Sequence, residues 1–174
     1  MPTRNLLSSC RVYVAARYSY REHKAMDAVN ALIARGLQPT SRWVWQDDPT
    51  LGDGDVTARW AMTNMADIQR ADAMLVVSEP ERIHTNGGRH VELGIALALG
   101  KRIVIWGTRE NTFYWFPGIQ AYRSLDSAVD ALGRCLRCGE YLGAKRIGFF
   151  CGPVCAYPPA NPSGQLALEL IPGE

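Results

Sequence analysis

Residues 86–101, Asn-Gly-Gly-Arg-His-Val-Glu-Leu-Gly-Ile-Ala-Leu-Ala-Leu-Gly-Lys, set one carboxylate, Glu92, inside an otherwise apolar helical run that starts at a glycine turn. A carboxylate in the first turn of a helix sits at the positive end of the dipole, which favours its ionised form. Gly87 and Gly88 let backbone N–H groups approach an anion. An ionised carboxylate beside such a turn suits a nucleophile working on a sugar phosphate or a nucleoside. A simple helix cap next to an ordinary turn accounts for the same residues, because Gly-Gly before a helix is a short signal.

Four of the five cysteines form a second group, Cys135-x2-Cys138-x12-Cys151-x3-Cys155. Paired thiolates on short knuckles a dozen residues apart are what a tetrahedral structural zinc site requires. Two disulfides are the competing reading, disfavoured in a reducing cytosol. Bound zinc would contribute roughly 10–16 kcal/mol to folding a segment with little core of its own. Cys10 stands apart and reads as a small core residue.

The elements that must position Glu92 follow from periodicity. Residues 73–78 and 102–106 are short apolar runs on either side of the 88–99 helix, the strand-helix-strand unit of a parallel sheet. Gly100 ends that helix, whose apolar residues on nearly every side predict that both faces are covered. Upstream, 10–15 reads as a first strand, 21–35 as a helix, 39–45 as a second strand and 56–71 as a helix, with 51–55 a mobile loop. A last helix, 124–136, leads into the first cysteine knuckle. Strands alternating with helices in this order predict an α/β, doubly wound, Rossmann-like or flavodoxin-like parallel sheet with ligands at the carboxyl ends of its strands. The expected organisation is a domain over 1–132, a zinc module over 133–157 and a tail over 158–174, which reads as an edge strand or a partner segment.

With 174 residues, 47% hydrophobic and 21% charged, the chain has the composition of a globular protein. A formal net charge of +2 gives no bulk electrostatic argument for nucleic acid. The only local one is the cysteine segment, where Arg134, Arg137, Lys145 and Arg146 precede Phe149 and Phe150; zinc ribbons more often cap a domain. No run approaches the length needed to span a bilayer and the start lacks a secretory signal, so a cytoplasmic protein without membrane partners is expected.

Several stretches together give the chain a family resemblance. Val12-Tyr13-Val14-Ala15, Asp67-Ile68-x2-Ala71-Asp72, Gly87-Gly88-x3-Glu92-Leu93-Gly94-x-Ala96 and Gly100-Lys101 resemble the nucleoside 2-deoxyribosyltransferase-like family, which includes the 2'-deoxynucleoside 5'-phosphate N-hydrolases. The likeness covers 11 to about 130. It implies that Glu92 attacks the anomeric carbon to form a glycosyl ester, that Tyr13 orients it, and that the sugar passes to another base or to water. That agrees with the chemistry of a carboxylate facing a cationic sugar. No organic cofactor is implied, and a homo-oligomer with shared sites is.

Two positions depart from the pattern. Asn64 stands where the family usually has the aspartate that handles the proton of the leaving base, and Asn86 where the transferases have a second carboxylate. The N-hydrolases carry a small polar residue at the latter place, next to the phosphate. The departure leaves open a base that needs no protonation, an acid such as Asp47, Asp48 or Asp67, or a nucleotide-binding module without chemistry. Arg17, Ser19 and Arg89 are candidates to meet a 5'-phosphate, Trp43 to stack on a base, and Asn111 to complete a site. Each also fits a plain surface or core role.

Overall fold

The structure is a computed structural model that describes residues 10–46, 54–78 and 87–134. The chain divides into two compact units, Met1–Gly133 and Arg134–Glu174. Within the first, five parallel strands form one sheet in the order β2-β1-β3-β4-β5: β1 Arg11–Ala15, β2 Gln38–Pro39, β3 Ala73–Val77, β4 Arg102–Trp106 and β5 Gln120–Tyr122. The helices are α1 Met26–Ala34, α2 Gly54–Arg70, α3 Gly88–Ala98 and α4 Leu125–Leu132. This is the expected α/β doubly wound sheet. Every residue of β3 is buried, as are Val12 to Ala15 and Ile103 to Ile105, because helices cover both faces of a parallel sheet. One layer is α1 against α4; the other is α2 against α3.

From β1 the chain first runs to β2 on one side and then crosses to β3 on the other. The crevice between β1 and β3 is therefore the topological switch point, where ligands of such sheets bind. Two positions near the strand ends call for glycine. Gly87 caps α3 with a φ of +80°, and Gly107, after β4, has a φ of +125°, where an added Cβ would run into Ser78 Oγ.

The structure corrects several sequence expectations. The strand expected over 39–45 stops at Pro39, and Arg42–Trp45 is a 3-10 turn. Side chains replace the ladder there: Val14 N–H donates to Ser41 Oγ at 2.5 Å, and Trp43 Nε1 donates to Val14 O at 2.9 Å. With β1's polar groups already paired, β2 has no reason to continue. Strand β5 and the 3-10 turn Thr112–Trp115 escaped periodicity because each is under five residues long. The helix expected over 21–35 opens as a π turn, Arg21–Ala25, and the one expected over 124–136 ends at Leu132. Among the described residues helix α3 is not covered all round, since Val91 is 64% exposed and Leu99, which follows its last residue, 46%. Cys10 is buried, as expected of a small core residue. Residues 47–53, the four clustered cysteines and the tail lie outside the described residues. No helix among the described residues is long and apolar enough to cross a membrane.

Candidate active site

Three elements converge on Glu92. Strand β1 carries Tyr13 in the wholly buried row of the sheet, and its hydroxyl donates to Glu92 Oε1 at 2.7 Å. Helix α2 brings Asn64, whose Nδ2 lies 3.5 Å from the same oxygen. Helix α3 supplies the carboxylate itself, on the face that turns Leu93 and Ala96 into the core. Asn64 Oδ1 is buried and unpartnered among the described residues.

Glu92 is the fifth residue of α3, so it stands beyond the first turn, and the expected help from the helix dipole is largely lost. Burial dominates instead and pushes the carboxyl from 4.5 to about 7, against the Tyr13 hydrogen bond and the Arg89 charge, which favour the anion. Burial, with the Glu92 charge beside it, pushes the Tyr13 phenol well above its usual value of 10, so at neutral pH it can only donate to the carboxylate. The arrangement is a carboxylate poised near neutrality, held by one fixed donor and flanked by one amide. Such a group can act as a nucleophile or as a proton carrier.

Next to it lies a buried ion pair that the sequence did not announce. Arg89 donates through Nη1 to Val77 O at 2.8 Å and through Nη2 to the Glu110 carboxylate, which also accepts from Tyr114 Oη at 2.9 Å. This staple ties the end of β3, the start of α3 and the segment after β4 together. Arg89, expected at a phosphate, is thus neutralised within the chain and 5% exposed. Asn111 is likewise engaged: Oδ1 accepts from Phe113 N–H and Tyr114 N–H, and Nδ2 is 3.0 Å from His90 Nδ1. It caps the 3-10 turn, where an Asx side chain replaces missing backbone partners.

Trp43, expected to stack on a base, is 4% exposed and packs in the core, its indole N–H held by Val14 O. Asp67 is fully buried and receives Arg42 N–H and Nε at 2.9 and 2.8 Å, with Arg70 at 3.0 Å. It fastens the 3-10 turn to α2 and has no free edge for proton transfer. Arg17 and Ser19 stand in the turn after β1, Arg17 half-buried and Ser19 exposed. Gly87 and Gly88 begin α3, and Asn86 lies outside the described residues, as do Asp47 and Asp48. Sequence reasoning overlooked Trp60 and Tyr18, whose rings meet edge to face at 5.8 Å between centroids. The available signal was the spacing of Trp60 and Asn64, one turn apart on a helix.

Comparisons with known proteins bear on this geometry. The family model described as nucleoside 2-deoxyribosyltransferase matches residues 12–142. No curated protein sequence matches the chain. Among solved structures, a 2-deoxyribosyltransferase from the psychrotolerant bacterium Bacillus psychrosaccharolyticus is similar at 17% identity and a TM-score of 0.56, over 68% of this chain and 89% of that one. The CMP N-glycosidase BcmB of Clostridium botulinum matches at 16% identity and a TM-score of 0.48, over 70% of this chain and 97% of the other.

Proposed function

Because the chain belongs to the nucleoside 2-deoxyribosyltransferase family, we propose that it breaks the N-glycosidic bond of a nucleoside or nucleoside 5'-monophosphate, in the ribo or deoxy series, with Glu92 as the nucleophile. The observation that supports this most is the 2.7 Å hydrogen bond from buried Tyr13 to Glu92 at the crevice between β1 and β3. As the bond from C1' to the base breaks, positive charge develops on the sugar, and a carboxylate on the opposite face stabilises it and then forms an ester. Water or a second base releases the sugar. Tyr13 holds one carboxylate oxygen, so the other is the attacking atom.

The test is chromatographic detection of free base after incubation with ribo- and deoxyribonucleosides and their 5'-monophosphates, using the native chain and Glu92→Ala. Release by the native chain alone is expected. No release from either, with or without an acceptor base, would leave a nucleotide-binding module as the better reading.

The attacking carboxylate must be ionised, so kcat/KM is expected to rise with pH through an inflection near 7. Tyr13→Phe removes the donor that favours the anion, an interaction of about 1.5–3 kcal/mol. The inflection should therefore move alkaline by about one unit or more, with activity at pH 7 down about tenfold. A pH profile that keeps its inflection in Tyr13→Phe would deny Tyr13 this role.

We also propose a structural zinc ion on Cys135, Cys138, Cys151 and Cys155, from the chemistry and spacing of the donor set. Four thiolates fill a tetrahedral sphere and leave no position for a reacting water. Elemental analysis is expected to find one zinc per chain, lost in a Cys135→Ser, Cys138→Ser double variant. Two disulfides by mass and no metal would replace this reading.

A further inference from the structure

We infer that the site favours N-glycosides whose base is cationic, joined to the sugar through a ring nitrogen that carries or shares the positive charge, as in pyridinium and N7-alkylated purine nucleotides. This rests on the glycosidic reading above and names a substrate class for it. A neutral base must gain a proton as its bond to C1' breaks, and a general acid that supplies it is typically worth about 10²–10⁴ in rate. A cationic base needs none. The electron pair of the C1'–N bond neutralises the ring nitrogen, the base leaves neutral, and one Glu92 oxygen bonds to C1'. Water then cleaves the ester, its oxygen going to C1' and one proton to solvent, and the carboxylate is restored.

The group beside the nucleophile is an amide, Asn64, with Nδ2 3.5 Å from Glu92 Oε1. An amide offers hydrogen bonds but no acidic proton at neutral pH. Among the described residues the neighbouring buried carboxylates are committed elsewhere, Asp67 to Arg42 and Arg70, and Glu110 to Arg89 and Tyr114. Asn64 Oδ1, buried and unpartnered among the described residues, is an acceptor. It suits an N–H donor on the departing base, such as a ring amino group or a carboxamide, and its partial negative charge favours a cation. One turn earlier on the same helix face stands Trp60, edge to face with Tyr18. Aromatic faces attract cations, by about 0.5–2 kcal/mol depending on exposure.

The test measures base release from guanosine 5'-monophosphate, its N7-methyl derivative and nicotinamide mononucleotide by the full chain, after subtraction of spontaneous release. The N7-methyl base is expected to be released with a kcat/KM about 100-fold or more above that of guanine, and nicotinamide to be released as well. Glu92→Gln should abolish all three. Asn64→Asp should narrow the ratio by about tenfold or more at pH 6 by supplying an acid to the neutral base, with circular dichroism and thermal unfolding reporting that the variant is folded. Guanine released as fast as its methylated form would overturn the inference and leave the glycosidic reading standing. A ratio that Asn64→Asp does not move would overturn the assignment to Asn64. No release from any of the three, nor from the deoxy and nucleoside series with or without an acceptor base, would sink both readings together.

Discussion

Replacing Glu92 by glutamine is expected to lower base release by about 10⁴-fold or more, the scale seen when a nucleophile is removed, while making the folded protein more stable at alkaline pH. The two effects have one cause. Burial holds the Glu92 carboxyl at about 7 against 4.5 in an exposed state, so the folded protein binds a proton that the unfolded chain has released between these values. Stability therefore falls as pH rises through that window, and above it the whole difference, about 3 kcal/mol, weighs against the native state. Glutamine fills the same space, still accepts from Tyr13, and carries no charge to desolvate. Urea unfolding should show Glu92→Gln ahead of the native protein by up to about 3 kcal/mol at pH 8, with the gain vanishing near pH 4.5. A glutamine variant that is inactive and less stable at pH 8 would mean that Glu92 supports the fold instead of straining it.

Arg89→Met is expected to destabilise the protein by about 3–5 kcal/mol, the cost of removing one partner of a buried ion pair. Arg89 and Glu110 have side chains only 2% and 11% exposed, so the abandoned carboxylate cannot recover its hydration. Val77 O loses a donor as well. Pairing the change with Glu110→Gln removes the stranded charge, and the double variant should recover a good part of the loss. Chemical denaturation of the four proteins of this cycle gives the coupling energy, expected above about 1.5 kcal/mol. Additive losses would show that the two side chains act independently. Glu92 should also titrate higher without the Arg89 charge, and the activity profile of the single variant should move alkaline with it.

Both predictions turn on residues whose types were legible in the chain and whose circumstances were not. Glu92 stood out because a single carboxylate interrupts an apolar helical period, which is local information. Its expected environment, the helix dipole, was displaced by one turn and overruled by burial. Arg89 and Asn111 looked like ligand-binding residues because they border a glycine turn and a strand end. Their actual partners, Glu110 and His90, are each 21 positions away and could not be paired by spacing alone. Trp43 illustrates the same point from the other side, since a strand aromatic fits a base platform until its indole N–H is seen on Val14 O. The second strand proved shorter than expected because Ser41 and Trp43 side chains satisfy the edge of β1, a substitution that hydrophobic periodicity does not register.

The sequence by itself determined the alternation of strands and helices as far as β4, the doubly wound class and the carboxylate at its centre, because side-chain period and turn residues act over a few positions and survive without knowledge of neighbours. Only the tertiary structure decided what that carboxylate is. Tyr13 lies 79 positions from Glu92 and Asn64 lies 28, and the charge state of such a half-buried acid is set by which donors reach it and by how much water is excluded.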